Sequence, residues 1–283
     1  MWRCGGGLSS TYGRDYNKLY VVLAMILVVA GSLLILLRVL QTPRGLESHY
    51  YPSPTLYSKT ITVKMEDGPA GIVEYFKKAI TDWNEAVKQF NQLRDLECSI
   101  KQITGCRACL SEPRLPRIAV SIHDEYNVLI EFVDSMPRKT LIAYTEPYHN
   151  GSVIARIVVW IGIPEHRAYQ VAVHEIARLY GVDIPRIYRT LFGVIPAGSD
   201  TRKLNPSLEQ FISEGPDPMK PTTLDLYTAF EALKNPEGGT FKMGSGVVFR
   251  AYDEPDFTIP ALLSPFMITA GVYMLSRRWR HTG

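Results

Sequence analysis

Nineteen consecutive uncharged positions, Leu19 to Leu37, set the first segment of this chain apart. LYVVLAMILVVAGSLLILL makes a helix of roughly 28 Å, which matches the hydrocarbon thickness of a bilayer. The pattern predicts a membrane-spanning helix over residues 19–40. The run is long for the apolar part of a signal peptide, and no small-x-small cleavage site clearly follows it. A second apolar run, FTIPALLSPFMITAGVYMLS at 257–276, is broken by Pro260 and Pro265 and diluted by Thr258, Ser264 and Thr269. Membrane helices tolerate proline, and the basic RRWRH follows at once, so a second span is expected there. A buried or interfacial helix is the competing reading.

Between the two runs the periodicity changes. Residues 41–58, rich in Pro, Ser and Tyr, read as a stalk. TITVKM at 60–65 alternates as a strand does. From about Ala70 to Leu96, apolar residues including Val73, Phe76, Ile80, Trp83, Val87 and Phe90 recur at helical spacing. The stretch 97–116 reads as a loop or a short strand with turns. Three or four strands follow: RIAVSI at 117–122, VLIEFV at 128–133, TLIAYT at 140–145 and VIARIVVWIGI at 153–163, with Pro137, Pro147 and Asn150-Gly151 at the turns.

Pro164 suits the first turn of the next helix, whose inward face carries Ala168, Val171, Ala172 and Ile176, and Gly181 suits its left-handed end. Residues 185–216 form a long mixed connection with one short helix at SLEQFI. In TTLDLYTAFEAL, Thr222 and Asp225 match a capping box, and Leu226, Tyr227, Phe230 and Leu233 make an apolar stripe. Strands followed by two late helices predict an α+β domain over 59–235, with a linker at 236–256.

Charge orients this arrangement. The formal net charge is only +3, but six of the 31 bases lie in residues 1–18 and 277–283 against one of the 28 acids. The remainder is slightly acidic and offers no broad basic face, so a nucleic-acid partner is set aside. Basic flanks outside both apolar runs place residues 1–18 and the tail 277–283 in the cytoplasm and residues 41–256 outside. Asn150-Gly151-Ser152 is an acceptor sequon, which makes Asn150 a candidate glycosylation site in that compartment. Cys98, Cys106 and Cys109 fall in the same outer region, where a disulfide can persist. The reading is one structural disulfide with a leftover thiol, ahead of free thiols and, last, of metal, because the lone C-x-x-C lacks a second pair.

The candidate chemistry lies in VAVHEIARLYGVDI, residues 171–184. A zinc-protease helix sets two imidazoles at i and i+4 on one face, with a carboxylate between them to activate water, and a glycine then turns the chain so that a third imidazole returns to the metal. Here His174, Glu175 and Gly181 stand at the first-ligand, general-base and turning places. Downstream, DPMKP puts Met219, followed by Pro221, where a methionine turn would lie below such a site. With the long strand before and the helix after, the chain over about 60–234 resembles the membrane-anchored, matrixin-type metzincins, including those of archaeal type. The resemblance implies a mixed sheet, an active-site-type helix, a Met-turn and a C-terminal helix, here flanked by two transmembrane helices.

The departures fall on the chemistry. The second ligand place is Arg178 and the third is Ile184. A guanidinium stays protonated and has no lone pair to offer, and isoleucine offers nothing. His166 is eight residues upstream of His174, roughly 12 Å along the helix, too far to share a metal. Asp183 stands beside the third place. His123, His149, Asp200 and Glu214 are not placed by sequence. Arg178 lies one turn beyond both His174 and Glu175, so the expectation is that its guanidinium fills the former metal volume and pairs with Glu175. An arginine pointing to solvent is the alternative.

The reading is a membrane-tethered pseudopeptidase ectodomain that binds a peptide or protein partner, with the strand before the helix as rim of its cleft and no cofactor expected. The alternatives are an active zinc metalloendopeptidase with non-standard ligands and Glu175 as general base, or an envelope structural protein.

Overall fold

The computed structural model describes residues 12–41, 46–103, 113–123, 125–138, 141–184, 189, 191–199, 219–244, 249–255 and 257–282. The chain is mixed α/β and divides into two units, 1–42 with 255–283, and 43–254.

The first unit contains α1 (Tyr12–Leu40) and the chain's last helix, Thr258–Thr282. Within them Lys18–Leu40 and Ile259–Arg277 are long and apolar enough to cross a bilayer. The two helices pack antiparallel on small residues. A Cβ added at Gly31 would lie 2.8 Å from Ile268 Cγ1, and one at Gly271 would lie 2.7 Å from the Ala24 carbonyl oxygen. Ala24 and Ser264 are fully buried at the same seam. Close backbone approach of this kind is how helices associate where apolar burial gives no driving force. Pro265 has no N–H to give the Ala261 carbonyl, and the Ser264 hydroxyl donates to that oxygen instead.

The second unit is built on a five-stranded sheet. Its strands are β2 (Thr60–Met65), β3 (Arg117–Val120), β4 (Val128–Val133), β5 (Ala143–Asn150) and β6 (Val153–Trp160), in spatial order β3-β2-β4-β6-β5. All pairings are parallel except β5 with β6. The β5–β6 hairpin turns at Gly151 (φ +61°), the residue type and sign that a tight type II′ turn needs at its first central position. Pro147, expected at a turn, lies inside β5 opposite Ala155. An edge strand tolerates a residue with no N–H on its open side.

On one face of the sheet lie α2 (Ala70–Ile103) and α3 (Glu165–Leu179). Their shared core includes Phe76, Trp83, Ile130, Ile157 and Ile176, all fully or almost fully buried. Trp83 stacks on Tyr180 and donates its indole N–H to the Val173 carbonyl at 3.0 Å. The helix α2 runs seven residues past the expected end at Leu96, so Cys98 sits on a helix rather than in a loop. No glycine or proline interrupts the sequence before Gly105. Cys106 and Cys109 lie outside the described residues.

A second, three-stranded sheet orders as β10-β1-β7: β1 (Glu47–Tyr50) lies between β7 (Val182–Asp183) and β10 (Gly239–Lys242). The stretches read as stalk and linker thus supply strands to the folded unit. Leu46, Leu56 and Phe249 are buried in it. A two-stranded parallel bridge joins β8 (Ile195–Pro196) to β9 (Met219–Lys220), and α4 (Thr223–Lys234) follows. The capping box on α4 is formed as expected, with Thr222 and Asp225 each bonding the other's backbone N–H. The expected short helix at SLEQFI and residues 217–218 of the DPMKP motif lie outside the described residues.

Candidate functional site

The helix α3 carries His174, Glu175 and Arg178, and three neighbours hold them. The edge strand β5 covers Glu175: Thr145 Oγ1 donates to Glu175 Oε2 at 2.7 Å and also lies 3.1 Å from the Glu175 carbonyl oxygen. Burial raises the pKa of this carboxyl, against the opposing effects of the Thr145 hydrogen bond and the positive charge of Arg178. The segment after β8 holds His174, whose Nδ1 lies 3.0 Å from the Ala197 carbonyl oxygen. A carbonyl only accepts, so Nδ1 carries the proton.

Residues 46–58 close the C-terminal end of α3. Tyr51 donates its hydroxyl to the Arg178 carbonyl at 2.7 Å, and Ser53 and Thr55 both donate to the Leu179 carbonyl. These side chains satisfy carbonyls that a helix end leaves without intrahelical partners. Gly181 adopts φ +69°, the left-handed conformation its place in the sequence suggests, and a Cβ there would clash with the Tyr51 carbonyl oxygen.

Arg178 does not pair with Glu175. Its Nη1 lies 2.8 Å from Asp183 Oδ1 and donates to the Val182 carbonyl at 3.2 Å. The guanidinium therefore reaches forward, past the end of its helix, to β7. The physical reason is competition: Glu175 already has a hydroxyl donor from β5, whereas Asp183 is brought to the helix end when Val182 and Asp183 pair with Tyr50 and His49 of β1. Glu175 and Arg178 still influence each other through space, which the depressing effect of Arg178 on the Glu175 carboxyl records.

The remaining expected residues divide. Ile184, at the third ligand place, is fully buried and bridges Ser199 in the backbone. Met219 is 1 % exposed on β9, which packs against α3, and Pro221 is buried. Asn150 is exposed at the end of β5 beside the hairpin turn. Asp200 and Glu214 lie outside the described residues. Among the described residues no three His, Cys, Asp or Glu side chains converge as metal ligands. Among the described residues, the three ligand places of the pattern do not by themselves fit zinc: one imidazole, a guanidinium engaged with a carboxylate, and a buried isoleucine.

One residue of this arrangement, Thr145, escaped the sequence reading. It carried no signal, because its role depends on a contact 30 positions away. The strand before α3, expected as the rim of a cleft, is not an edge of the sheet. The strand immediately before α3 is β6, which lies inside the sheet between β4 and β5, so the edge strand on that side is β5, with β3 at the opposite edge. The bond from the Trp160 N–H to the Ile142 carbonyl sets the phase of the β5–β6 ladder. By alternation, the backbone facing away from β6 belongs to Ala143, Thr145 and Pro147, the last without an N–H. No family model, no curated protein and no solved structure matches this chain.

Proposed function

We propose that residues 43–254 form a metzincin-like, non-catalytic domain, tethered by two transmembrane helices with both termini in the cytoplasm, whose cleft binds an extended peptide or protein segment outside the cell. The observation that carries this reading is the edge of β5. Among the described residues this strand pairs with β6 alone, and its Thr145 is fixed on α3 through Glu175. A sheet edge held rigidly beside a helix accepts an added strand by main-chain hydrogen bonds.

Three features support the metzincin part: a mixed sheet with one antiparallel edge strand ahead of the His174-Glu175 helix, Gly181 turning the chain, and Met219 buried under α3 just before α4. The loss of catalysis follows from the ligand places. Arg178 has no lone pair and is engaged with Asp183, and Ile184 is buried in the backbone bridge to Ser199. An imidazole alone does not hold a catalytic zinc ion, which takes three protein ligands.

The test is selection of random ten-residue peptides on the full chain in lipid nanodiscs, followed by backbone N-methylation of a selected binder. Strand addition predicts that methylation at alternate positions abolishes binding and that the intervening positions tolerate it. Loss at every position or at none contradicts the reading, as does unchanged binding in a folded Thr145→Pro variant, which removes an outward N–H of β5.

A further inference from the structure

A single peptide group, Ala197–Gly198, stands between a buried carboxylate and the imidazole of His174. Its carbonyl oxygen lies 3.0 Å from His174 Nδ1. Its N–H, pointing the opposite way in the same amide plane, donates to Asp225 Oδ1 at 2.9 Å. The Ala197 N–H donates to Asp225 Oδ2 at 3.0 Å. Asp225 is fully buried in the first turn of α4, where Oδ2 also receives the Thr222 N–H at 2.8 Å and the Thr222 hydroxyl at 2.7 Å. The capping box needs only Oδ2. The other oxygen, Oδ1, faces the Gly198 N–H.

The peptide group is fixed from several sides. Ile195 and Pro196 pair with Met219 and Lys220, and the Ile184 N–H donates to the Gly198 carbonyl at 3.0 Å. A Cβ at Gly198 would lie 2.5 Å from Val182 Cγ1, so a side chain there would have to displace Val182.

We propose that Asp225 is a positioning residue for His174 and acts through the Ala197–Gly198 peptide. The carboxylate polarises the Gly198 N–H, and amide resonance deepens the negative charge on the Ala197 oxygen. That oxygen holds the proton on Nδ1, which leaves Nε2 as the ring's acceptor atom. Direct contact between a carboxylate and an imidazole fixes a tautomer in many histidine sites; here one amide is inserted between them. The relay concerns the ring alone and stands whether or not the cleft takes a peptide.

The experiment is nitrogen-15 NMR of histidine-labelled full chain in lipid nanodiscs at pH 7.5. Burial moves the Asp225 carboxyl up to about 6, so it is charged at this pH. A His174→Gln variant assigns the signal among the six histidines. The wild type is expected to show mainly the Nδ1–H tautomer. Folded Asp225→Asn is expected to move the tautomer ratio at least roughly threefold toward Nε2–H, because the neutral amide polarises the peptide less. Thr222→Ala removes a capping donor, keeps the carboxylate on the peptide, and is expected to leave the ratio in place. A wild-type proton mainly on Nε2 overturns the proposal without recourse to any variant, as does a folded Asp225→Asn protein with an unchanged ratio. If Asp225→Asn does not fold, the wild type supplies a second readout, the coupling across the hydrogen bond from Gly198 nitrogen to the Asp225 carboxyl carbon. Its absence overturns the proposal.

Discussion

Arg178 Nη1 sits 2.8 Å from Asp183 Oδ1 and so ties the last turn of α3 to the strand β7 that follows it. The residue at the second ligand place of the H-E-x-x-H pattern serves here as a structural clasp. The two partners differ in burial: the Arg178 side chain is 17 % exposed and that of Asp183 is 45 % exposed. Solvent screening at Asp183 limits what the pair contributes. Asp183→Asn is expected to cost under about 1 kcal/mol. Arg178→Leu also gives up the hydrogen bond to the Val182 carbonyl and is expected to cost about 2 kcal/mol. Chemical unfolding of the full chain in nanodiscs, followed by tryptophan fluorescence, checks the order. Equal losses would place the clasp's energy elsewhere.

Glu175 gives a pH dependence. Burial raises its folded-state pKa above the ordinary 4.5. An acid raised in this way contributes stability that is fully present below pH 4.5 and is lost as pH climbs through the folded value, because the buried carboxyl must then ionise. Asp225, raised from 3.8 to about 6, adds a loss of the same sign between about pH 4 and pH 6. The protein is therefore expected to be more stable at pH 4 than these two groups allow at pH 7.5. Glu175→Gln is expected to raise the melting temperature at pH 7.5 and to leave it nearly unchanged at pH 4. The opposite ordering would mean that Glu175 is buried as a stabilised anion.

Removing the hydroxyl partner tests the same contact from β5. Thr145→Val keeps the side-chain shape and removes the donor to Glu175 Oε2. A buried acceptor left unmet costs about 1–3 kcal/mol. The thermal shift at pH 7.5 should fall in the destabilising direction and should shrink in a Glu175→Met background, which has no side-chain oxygen to accept the hydroxyl.

Parts of this arrangement were legible in the sequence, for physical reasons that differ from residue to residue. The capping box of Thr222 and Asp225 is local chemistry three positions apart and was read directly. The other half of Asp225's bonding lies 27 and 28 positions away at Gly198 and Ala197, where no period or spacing points. Glu47–Tyr50 was lost because a four-residue strand in a proline-rich stretch has no alternation to detect, and its two neighbours are β7 and the distant β10. The clasp was misassigned for a related reason. Helical spacing offered Glu175 to Arg178, whereas β1 brought Asp183 to the same helix end.

Gly181 is a strict position. Its φ of +69° and its closeness to the Tyr51 carbonyl oxygen both exclude a side chain. Gly181→Ala is expected to cost more than about 2 kcal/mol, above the penalty of a left-handed alanine alone. Reduced yield and a lower melting temperature are the expected readouts, and wild-type stability would show that residues 51–53 yield easily.

In the membrane-type unit, Gly31 and Gly271 set how closely α1 approaches the chain's last helix, Thr258–Thr282, here numbered α5. Replacing either by Leu is expected to force the two apart. Disulfide crosslinking between cysteines introduced at Val28 and Ile268, whose side chains reach Gly271 and Gly31 across the seam, should fall several-fold in both variants.

Metal content of the purified, tag-free full chain tests the central claim most directly. With only His174 among the three ligand places of the pattern able to donate a lone pair, elemental analysis after growth in zinc-replete medium is expected to find far less than one zinc per chain, unchanged by His174→Gln. About one zinc per chain, lost in His174→Gln together with peptide hydrolysis, would contradict the account.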